Sequence, residues 1–205
     1  PVEEGRPSSG LYQQNTVRDA CVAALSLDVF HRHADKIWMA NIAQLINVLQ
    51  AVLLVEDDKC IKTPTYHVFD LYQPHKGATS VRVESLADVL SDGGLSAHNC
   101  RANYRDACRF GLRAVHGSAS VKTGTLCVTA VNTHPTETME LQVELHRAKW
   151  SEAQAVSLEA GGIRAMNTFD APDNVKLSAP REVKIQNGVA RLELAPGSVV
   201  RLLGN

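Results

Sequence analysis

No apolar run in this sequence approaches the ~18–20 residues that a bilayer-spanning helix needs, and no secretory signal peptide is visible. Charge of one sign is missing as well. With 21 basic against 22 acidic residues the 205-residue chain carries a formal charge of -1, so no general field draws it to nucleic acid or to an anionic membrane. Paired cysteines are also missing. Cys21, Cys60, Cys100, Cys108 and Cys127 are odd in number and scattered, with no C-x-x-C pair, and read as reduced thiols that favour a cytoplasmic setting. There is no Ser nucleophile elbow, no Gly-rich phosphate loop and no Cys/His couple, which removes the commonest hydrolase and nucleotide-binding signatures. No initiator methionine stands at the start. Pro1-Val-Glu-Glu-Gly-Arg-Pro-Ser-Ser-Gly10 reads as the interior of a loop, so a processed or truncated chain is expected.

What the sequence does have is concentrated in Met39-Ala-Asn-Ile-Ala-Gln-Leu-Ile-Asn-Val-Leu-Gln50, an apolar run interrupted by amides at Asn41, Gln44, Asn47 and Gln50. An unpaired amide in an apolar interior costs about 1–3 kcal/mol, so each of these should find a partner in the protein or in a ligand. Around this run the pattern is α/β. Asn15 to His33 shows helical spacing of Val17, Ala20, Cys21, Ala24, Leu25, Leu27, Val29 and Phe30, with Asn15 or Thr16 as cap, Asp19 in the first turn and His31, Arg32 and His33 at the carbonyl end. Lys36–Gln44 is apolar on both faces, as a covered parallel strand would be. Leu45, Val48, Leu49, Val52 and Leu53 return to helical spacing, Glu56 to Lys59 forms a polar turn, and a further helix is expected from Pro64 to Tyr72, stopped by Pro74 and Gly77.

Beyond Gly77 the chain changes to short segments with β-branched alternation: Ser80–Val83, Arg109–Val115, Thr125–Asn132, Leu141–Leu145, Ala153–Leu158, Glu182–Gln186, Val189–Leu194 and Ser198–Leu203. Turn signals at Lys122 to Gly124, Gln186 to Gly188 and Pro196-Gly197 separate them, and together they predict an antiparallel sandwich. The fold class expected is therefore α/β plus all-β, with a boundary near residue 78: residues 1–77 form one part and 78–205 the other.

Few side chains look equipped for chemistry. His31 and His33 diverge at a helix end, His67 and His75 are isolated in sequence, and no carboxylate or cysteine stands at ligand spacing, so no metal is assigned. Glu3-Glu4 and Asp57-Asp58 are carboxylate pairs of the kind glycoside hydrolysis uses, but adjacent loop residues are a poor substitute for groups held on rigid elements about 5–5.5 Å apart, and solvated loop charge is the simpler reading. Gln44 is the exception. It ends the expected parallel strand, and in a (β/α) barrel the active site is built at the carboxyl ends of the strands. Asn47, one turn further on, is read as a supporting structural amide.

Several blocks resemble the C-terminal part of glycoside hydrolase family 51 α-L-arabinofuranosidases: Gln13-Gln-Asn-Thr-Val-Arg-Asp-Ala20, His31-Arg-His-Ala-Asp35, Met39-Ala-Asn-Ile-Ala-Gln44 with Asn47-Val-Leu-Gln50, and Thr63-Pro-Thr-Tyr-His-Val-Phe69. The sandwich half carries a weaker likeness, as in Leu126-Cys-Val-Thr-Ala-Val-Asn132. This resemblance implies the last βα portion of a (β/α)8 TIM barrel, with Lys36–Gln44 as its eighth strand, followed by a jelly-roll-like β-sandwich. It implies hydrolysis of terminal non-reducing α-L-arabinofuranosyl residues from arabinose-containing polysaccharides or oligosaccharides with retention, no cofactor, and a homo-oligomer, commonly a hexamer. Gln44 then corresponds to the glutamine that hydrogen-bonds the arabinofuranose, with Asn47 behind it. The family's Gly-Asn-Glu acid/base motif and Asp-Glu-Trp nucleophile motif do not occur here, so both catalytic glutamates are expected on a missing N-terminal barrel segment, and this chain alone is expected to be inactive. The competing expectation is a non-catalytic carbohydrate-binding or assembly sandwich with a helical appendage. Its weakness is aromatic supply, since the sandwich half offers only Tyr104, Phe110, Trp150 and Phe169.

Overall fold

The first helix is fastened to the rest of the molecule at its exposed amide end. In the computed structural model, which describes residues 15–42, 44–88, 90, 112–146 and 151–205, α1 spans Val17–Arg32. The Asp19 carboxylate reaches back to accept from Thr16 N at 2.9 Å and Thr16 Oγ1 at 2.8 Å, and the amides of Val17 and Arg18 donate to the carbonyls of Ala165 and Ile163, both at 2.9 Å. These first-turn donors have no partner within a helix, so the partners from residues 163–165 fix where α1 begins. Its buried stripe, Val17, Ala20, Cys21, Ala24 and Asp28, keeps helical period and places one carboxylate in the core.

A short hairpin follows, β1 (Leu53–Glu56) and β2 (Lys59–Lys62), turning at Asp57 with φ +51°. Then comes α2, Pro64–Tyr72, capped by Thr63, whose side chain accepts from Tyr66 N at 3.3 Å. Proline sits at the first helical turn, where its missing N–H costs nothing. The chain continues through a 3-10 turn over Gln73–His75. Two of the three expected helices, those from Asn15 and from Pro64, are present in the places the sequence indicated.

Two expectations between them are corrected. Lys36–Gln44 is not a strand: Lys36 closes a turn, and residues 37–42 and 44 carry no regular structure. A parallel strand exists only through neighbours on either side, and among the described residues none lies beside this one. Nor is Leu45–Leu53 a helix. Gln44, Asn47 and Gln50 take left-handed φ values of +63°, +56° and +61°, which interrupts helical hydrogen bonding every third residue, and Leu53 enters the hairpin instead.

The remainder is sheet. The strands are β3 (Thr79–Val81), β4 (Val115–Lys122), β5 (Thr125–Asn132), β6 (Met139–Glu144), β7 (Ala153–Glu159), β8 (Lys176–Leu177), β9 (Arg181–Glu182), β10 (Lys184–Gln186), β11 (Val189–Leu194) and β12 (Val199–Gly204). The larger sheet has the order β3-β4-β5-β12-β7-β8, with β9 also paired to β7, and the smaller has the order β10-β11-β6. All of these pairings are antiparallel. β4 and β5 join through Thr123 and Gly124, β10 and β11 through Asn187 and Gly188, all four at positive φ, as two-residue hairpin turns require.

Strand alternation divides the interior in two. Val128 and Ala130 of β5 and Val200 and Leu202 of β12 pack with Ala190 and Leu194 of β11 between the sheets, while Val131 and Val199 pack beneath α1 and α2 with Val17, Ala24, Val68 and Leu71. Both faces of the larger sheet are thus covered. Gly117 of β4 is required by close approach, because a Cβ there would lie 2.5 Å from the Thr129 carbonyl oxygen. On the opposite, helix-facing side of the same two strands, Ser118 and Ser120 of β4 and Thr129 of β5 are buried polar residues.

Candidate functional site

Gln44 stands on an exposed segment that leaves α1 and returns beside α2. After Arg32 the chain turns, with the amides of Lys36 and Ile37 both donating to the His33 carbonyl at 2.9 Å, and Trp38 and Met39 are then left 93% and 63% exposed. Gln44 and Asn41 are exposed, Gln50 half-buried. The expected burial of these amides is therefore corrected: the run reaches solvent. Holding a glutamine at positive φ costs on the order of 1 kcal/mol, and such residues concentrate where the surroundings dictate a particular side-chain direction.

Asn47 has a defined task. Its side-chain Nδ2 donates to the Val55 carbonyl and its Oδ1 accepts from the Val55 amide, both at 2.7 Å, so the carboxamide pairs with β1 as a neighbouring strand would. The loop is closed further by Val52 N and Leu53 N donating to the Leu45 carbonyl at 3.1 and 3.0 Å. Thr63, the cap of α2, also donates to the Ala51 carbonyl at 2.8 Å. Loop, hairpin and helix are in this way tied at one point. Between the segment and α2 lies a groove of about 420 Å³, with Ala40, Asn41 and Ile42 on one wall and Tyr66, Phe69 and Asp70 on the other.

On the opposite side of α2 lies a second constellation, which sequence reasoning missed. His31 of α1, read above as a helix-end residue, and His75, read as isolated in sequence, have ring centroids 4.5 Å apart, with the Tyr72 ring 5.7 and 5.4 Å from them. The Tyr72 hydroxyl donates to Asp28 Oδ1 at 2.8 Å, and Ser118 donates to the same oxygen at 2.7 Å. His31 Nδ1 lies 2.9 Å from Ser118 Oγ, while His75 bridges Ser120 at 2.7 Å and Thr129 at 3.1 Å. Asp28 is 0% exposed, and its Oδ2 finds no partner among the described residues. Burial pushes its carboxyl up to about 6, against the opposing hydrogen bonds from Ser118 and Tyr72. Burial first, then His31 and Arg201, push the His75 imidazole down to about 3. The signal in the sequence was Asp28 itself, a charge on an otherwise apolar helix face.

The other candidates remain apart. Asp57 and Asp58 sit exposed on the β1–β2 turn, and Glu3-Glu4 lies outside the described residues. Cys21 and Cys127 are buried free thiols and Cys60 is exposed, while Cys100 and Cys108 lie outside the described residues. Of the sandwich aromatics, Phe169 is half-buried, and Tyr104, Phe110 and Trp150 lie outside the described residues. Among the described residues no group of three or more His, Cys, Asp or Glu side chains is arranged to hold a metal ion, and no described helix is long and apolar enough to cross a membrane.

The family described as Alpha-L-arabinofuranosidase C-terminal domain matches residues 2–198. An intracellular exo-alpha-L-arabinofuranosidase of Bacteroides ovatus is 36% identical over 200 residues, covering 98% of this chain and 36% of the relative's length. The chain therefore spans little more than a third of that relative. Among solved structures, a family 51 arabinofuranosidase from Xanthomonas axonopodis pv. citri superposes with a TM-score of 0.81 at 32% identity, covering 98% of this chain and 38% of the other. A thermostable family 51 alpha-L-arabinofuranosidase from Thermotoga petrophila has the same fold, with a TM-score of 0.77 at 18% identity over 97% of this chain and 40% of its own. Residues quoted above for the resemblance all fall inside the matched range, and the chain belongs to the alpha-L-arabinofuranosidase C-terminal domain family.

Proposed function

We propose that this chain is the C-terminal part of an α-L-arabinofuranosidase that removes terminal non-reducing α-L-arabinofuranosyl residues from arabinose-containing polysaccharides or oligosaccharides, with Gln44 among the groups that hold the sugar. The observation that carries the site is the backbone of Gln44: an exposed amide at φ +63° on a loop fastened behind it by the Asn47–Val55 pair. Such a residue is aimed by its surroundings, and a clamp of this kind is what a positioned amide needs. Asn47 supports Gln44 and does not itself touch the sugar.

Lys36–Gln44 is the eighth strand of a (β/α)8 barrel once seven others stand beside it. Trp38, Met39, Leu45, Ile46 and Leu49, all exposed here, support this reading as the apolar surface those neighbours would cover. Residues 1–77 then belong to the catalytic barrel and residues 78–205 to a jelly-roll-like sandwich. The reacting groups come from the N-terminal barrel segment: one glutamate attacks the anomeric carbon to form a covalent arabinosyl-enzyme, while the other protonates the leaving oxygen and then activates water. Gln44 contributes a hydrogen bond that orients the furanose and strengthens as charge develops on the ring. The intact enzyme is cytoplasmic, in keeping with free thiols and an intracellular relative, and forms a homo-oligomer, a hexamer as in the family.

The test is the stereochemical course of hydrolysis of an aryl α-L-arabinofuranoside by the full-length enzyme, followed by NMR. The first-formed arabinose is expected in the α configuration. Release as the β anomer would overturn retention, and no hydrolysis at all would overturn the assignment.

A further inference from the structure

Asparagine is followed by glycine at one place in the sequence, Asn187-Gly188. Every other asparagine precedes Thr, Ile, Val, Cys or Tyr, apart from the terminal Asn205. The difference is chemical. The backbone nitrogen after an asparagine can attack the side-chain carboxamide carbon and close a five-membered ring, and a β-branched or bulky neighbour obstructs an approach that glycine leaves open.

The fold presents this pair at the tip of the β10–β11 hairpin. Gln186 and Val189 close the turn, with Asn187 at φ +53° and Gly188 at φ +81° between them. Asn187 is exposed, nothing lies within 4 Å of where a Cβ on Gly188 would be, and among the described residues no hydrogen bond holds the Gly188 amide. β10 is three residues long and stands at the outer end of the order β10-β11-β6, so rotation of the main chain at Asn187 disturbs only a short edge strand. The β4–β5 hairpin is an internal reference. Thr123 and Gly124 there are also at positive φ, and threonine has no carboxamide to lose.

We propose that Asn187 is a modification site, at which the carboxamide is lost through a cyclic imide with Gly188 and replaced by aspartate and isoaspartate. The Gly188 nitrogen gives its proton to solvent base and bonds to Asn187 Cγ, the bond from Cγ to the side-chain nitrogen breaks, and ammonia leaves carrying the proton that balances the one lost. Water then opens the ring. Attack at Cγ gives aspartate in an unaltered main chain, whereas attack at the main-chain carbonyl leaves the Gly188 nitrogen joined to Cγ, which is isoaspartate. Nothing is oxidised or reduced, and water is the only co-reactant.

The two products affect the hairpin differently. Asp-Gly suits the same two-residue turn as Asn-Gly, but isoaspartate adds a methylene to the main chain, so the turn no longer holds Lys184 opposite Arg191 and Ile185 opposite Ala190. Ile185 packs against the core between the sheets, so the change loosens β10 from the sandwich while β5 and β12 stay paired. The modification needs only this chain and water, and stands apart from the enzymatic reading.

The test is to age the full-length protein at mildly alkaline and mildly acidic pH and digest it with trypsin, which releases residues 185–191 with Asn187 as their one asparagine. Mass spectrometry is expected to show this peptide losing its amide ahead of every peptide carrying another described asparagine, and faster at the higher pH, because the attacking nitrogen must shed its proton. The same peptide is expected to accept a methyl group from an isoaspartyl methyltransferase, and hydrogen exchange in Lys184–Gln186 to rise with age while that in β5 does not. Asn187→Gly, which tolerates positive φ without a carboxamide, is expected to abolish both the methyl acceptance and the rise in exchange. An amide retained at Asn187 under conditions where the free peptide 185–191 loses its own would overturn the proposal. Equal loss at the exposed Asn41 or Asn47, which precede Ile and Val, would overturn it as well.

Discussion

The Tyr72 hydroxyl donates to the Asp28 carboxylate at 2.8 Å in a fully buried site, which ties α2 to α1 above the larger sheet. A hydrogen bond to a charged group contributes about 1.5–3 kcal/mol, and more is lost if the acceptor is left buried with fewer partners. Tyr72→Phe is expected to lower stability by roughly that amount, seen as a shift of the urea midpoint with an unchanged slope. No shift would mean that the bond is replaced by water.

Asp28 provides a pH test of its own. Burial raises its carboxyl from 3.8 to about 6, so between these values the folded chain keeps a proton that the unfolded chain has released. The stability linked to Asp28 is present below pH 3.8 and is lost as pH rises to about 6, a change of roughly two pH units or about 3 kcal/mol. Asp28→Asn cannot titrate. Its stability relative to wild type is expected to improve from about pH 4 to 6 and to level off above, in urea denaturation at each pH. A difference independent of pH would contradict the buried-acid account.

Gly117→Ala is expected to destabilise the sheet. The added Cβ would meet the Thr129 carbonyl at 2.5 Å on the neighbouring strand, so β4 and β5 would have to part, at a cost of about 1–3 kcal/mol. Thermal unfolding reads this directly, and an unchanged Tm would show that the strands have room to separate.

Asn47→Ala removes both bonds to Val55 and with them the fastening behind Gln44. Activity of the full-length enzyme on an aryl arabinofuranoside is expected to fall by less than for loss of Gln44 itself, with a rise in KM larger than the fall in kcat. Unchanged kinetics would remove Asn47 from any positioning role.

Most of the sheet was legible because its strands follow simple rules. Thr125–Asn132 and Val189–Leu194 alternate β-branched and small residues between clear turn signals, and β5 and β11 match those bounds. β4 was largely missed for a definite reason. His116, Gly117, Ser118 and Ser120 have no strand-like pattern of their own; they are chosen by a glycine-only contact and by hydroxyl partners for side chains on other elements. The hairpin of β1 and β2 was hidden by apolar spacing that suits a helix equally well, until three left-handed residues break it. Lys36–Gln44 shows the limit of local reading: a parallel strand is a property of its neighbours. Gln44 stood out by its place at the carboxyl end of an expected strand and took its proposed role from a resemblance in sequence, whereas the His31–His75–Asp28 network depends on contacts between residues far apart in the chain, which no spacing reveals.

The most direct measurement for Gln44 is kcat/KM on an aryl α-L-arabinofuranoside for the full-length enzyme and its Gln44→Ala variant, with Gln44→Gly alongside. Gly relieves the positive φ, at most about 1 kcal/mol of backbone strain, and lacks the amide as Ala does. Both variants are expected to stay folded and to lose about 1–3 kcal/mol of transition-state stabilisation, a fall of roughly ten- to a hundredfold in kcat/KM. Wild-type kcat/KM in Gln44→Ala would contradict the placing of this residue at the sugar.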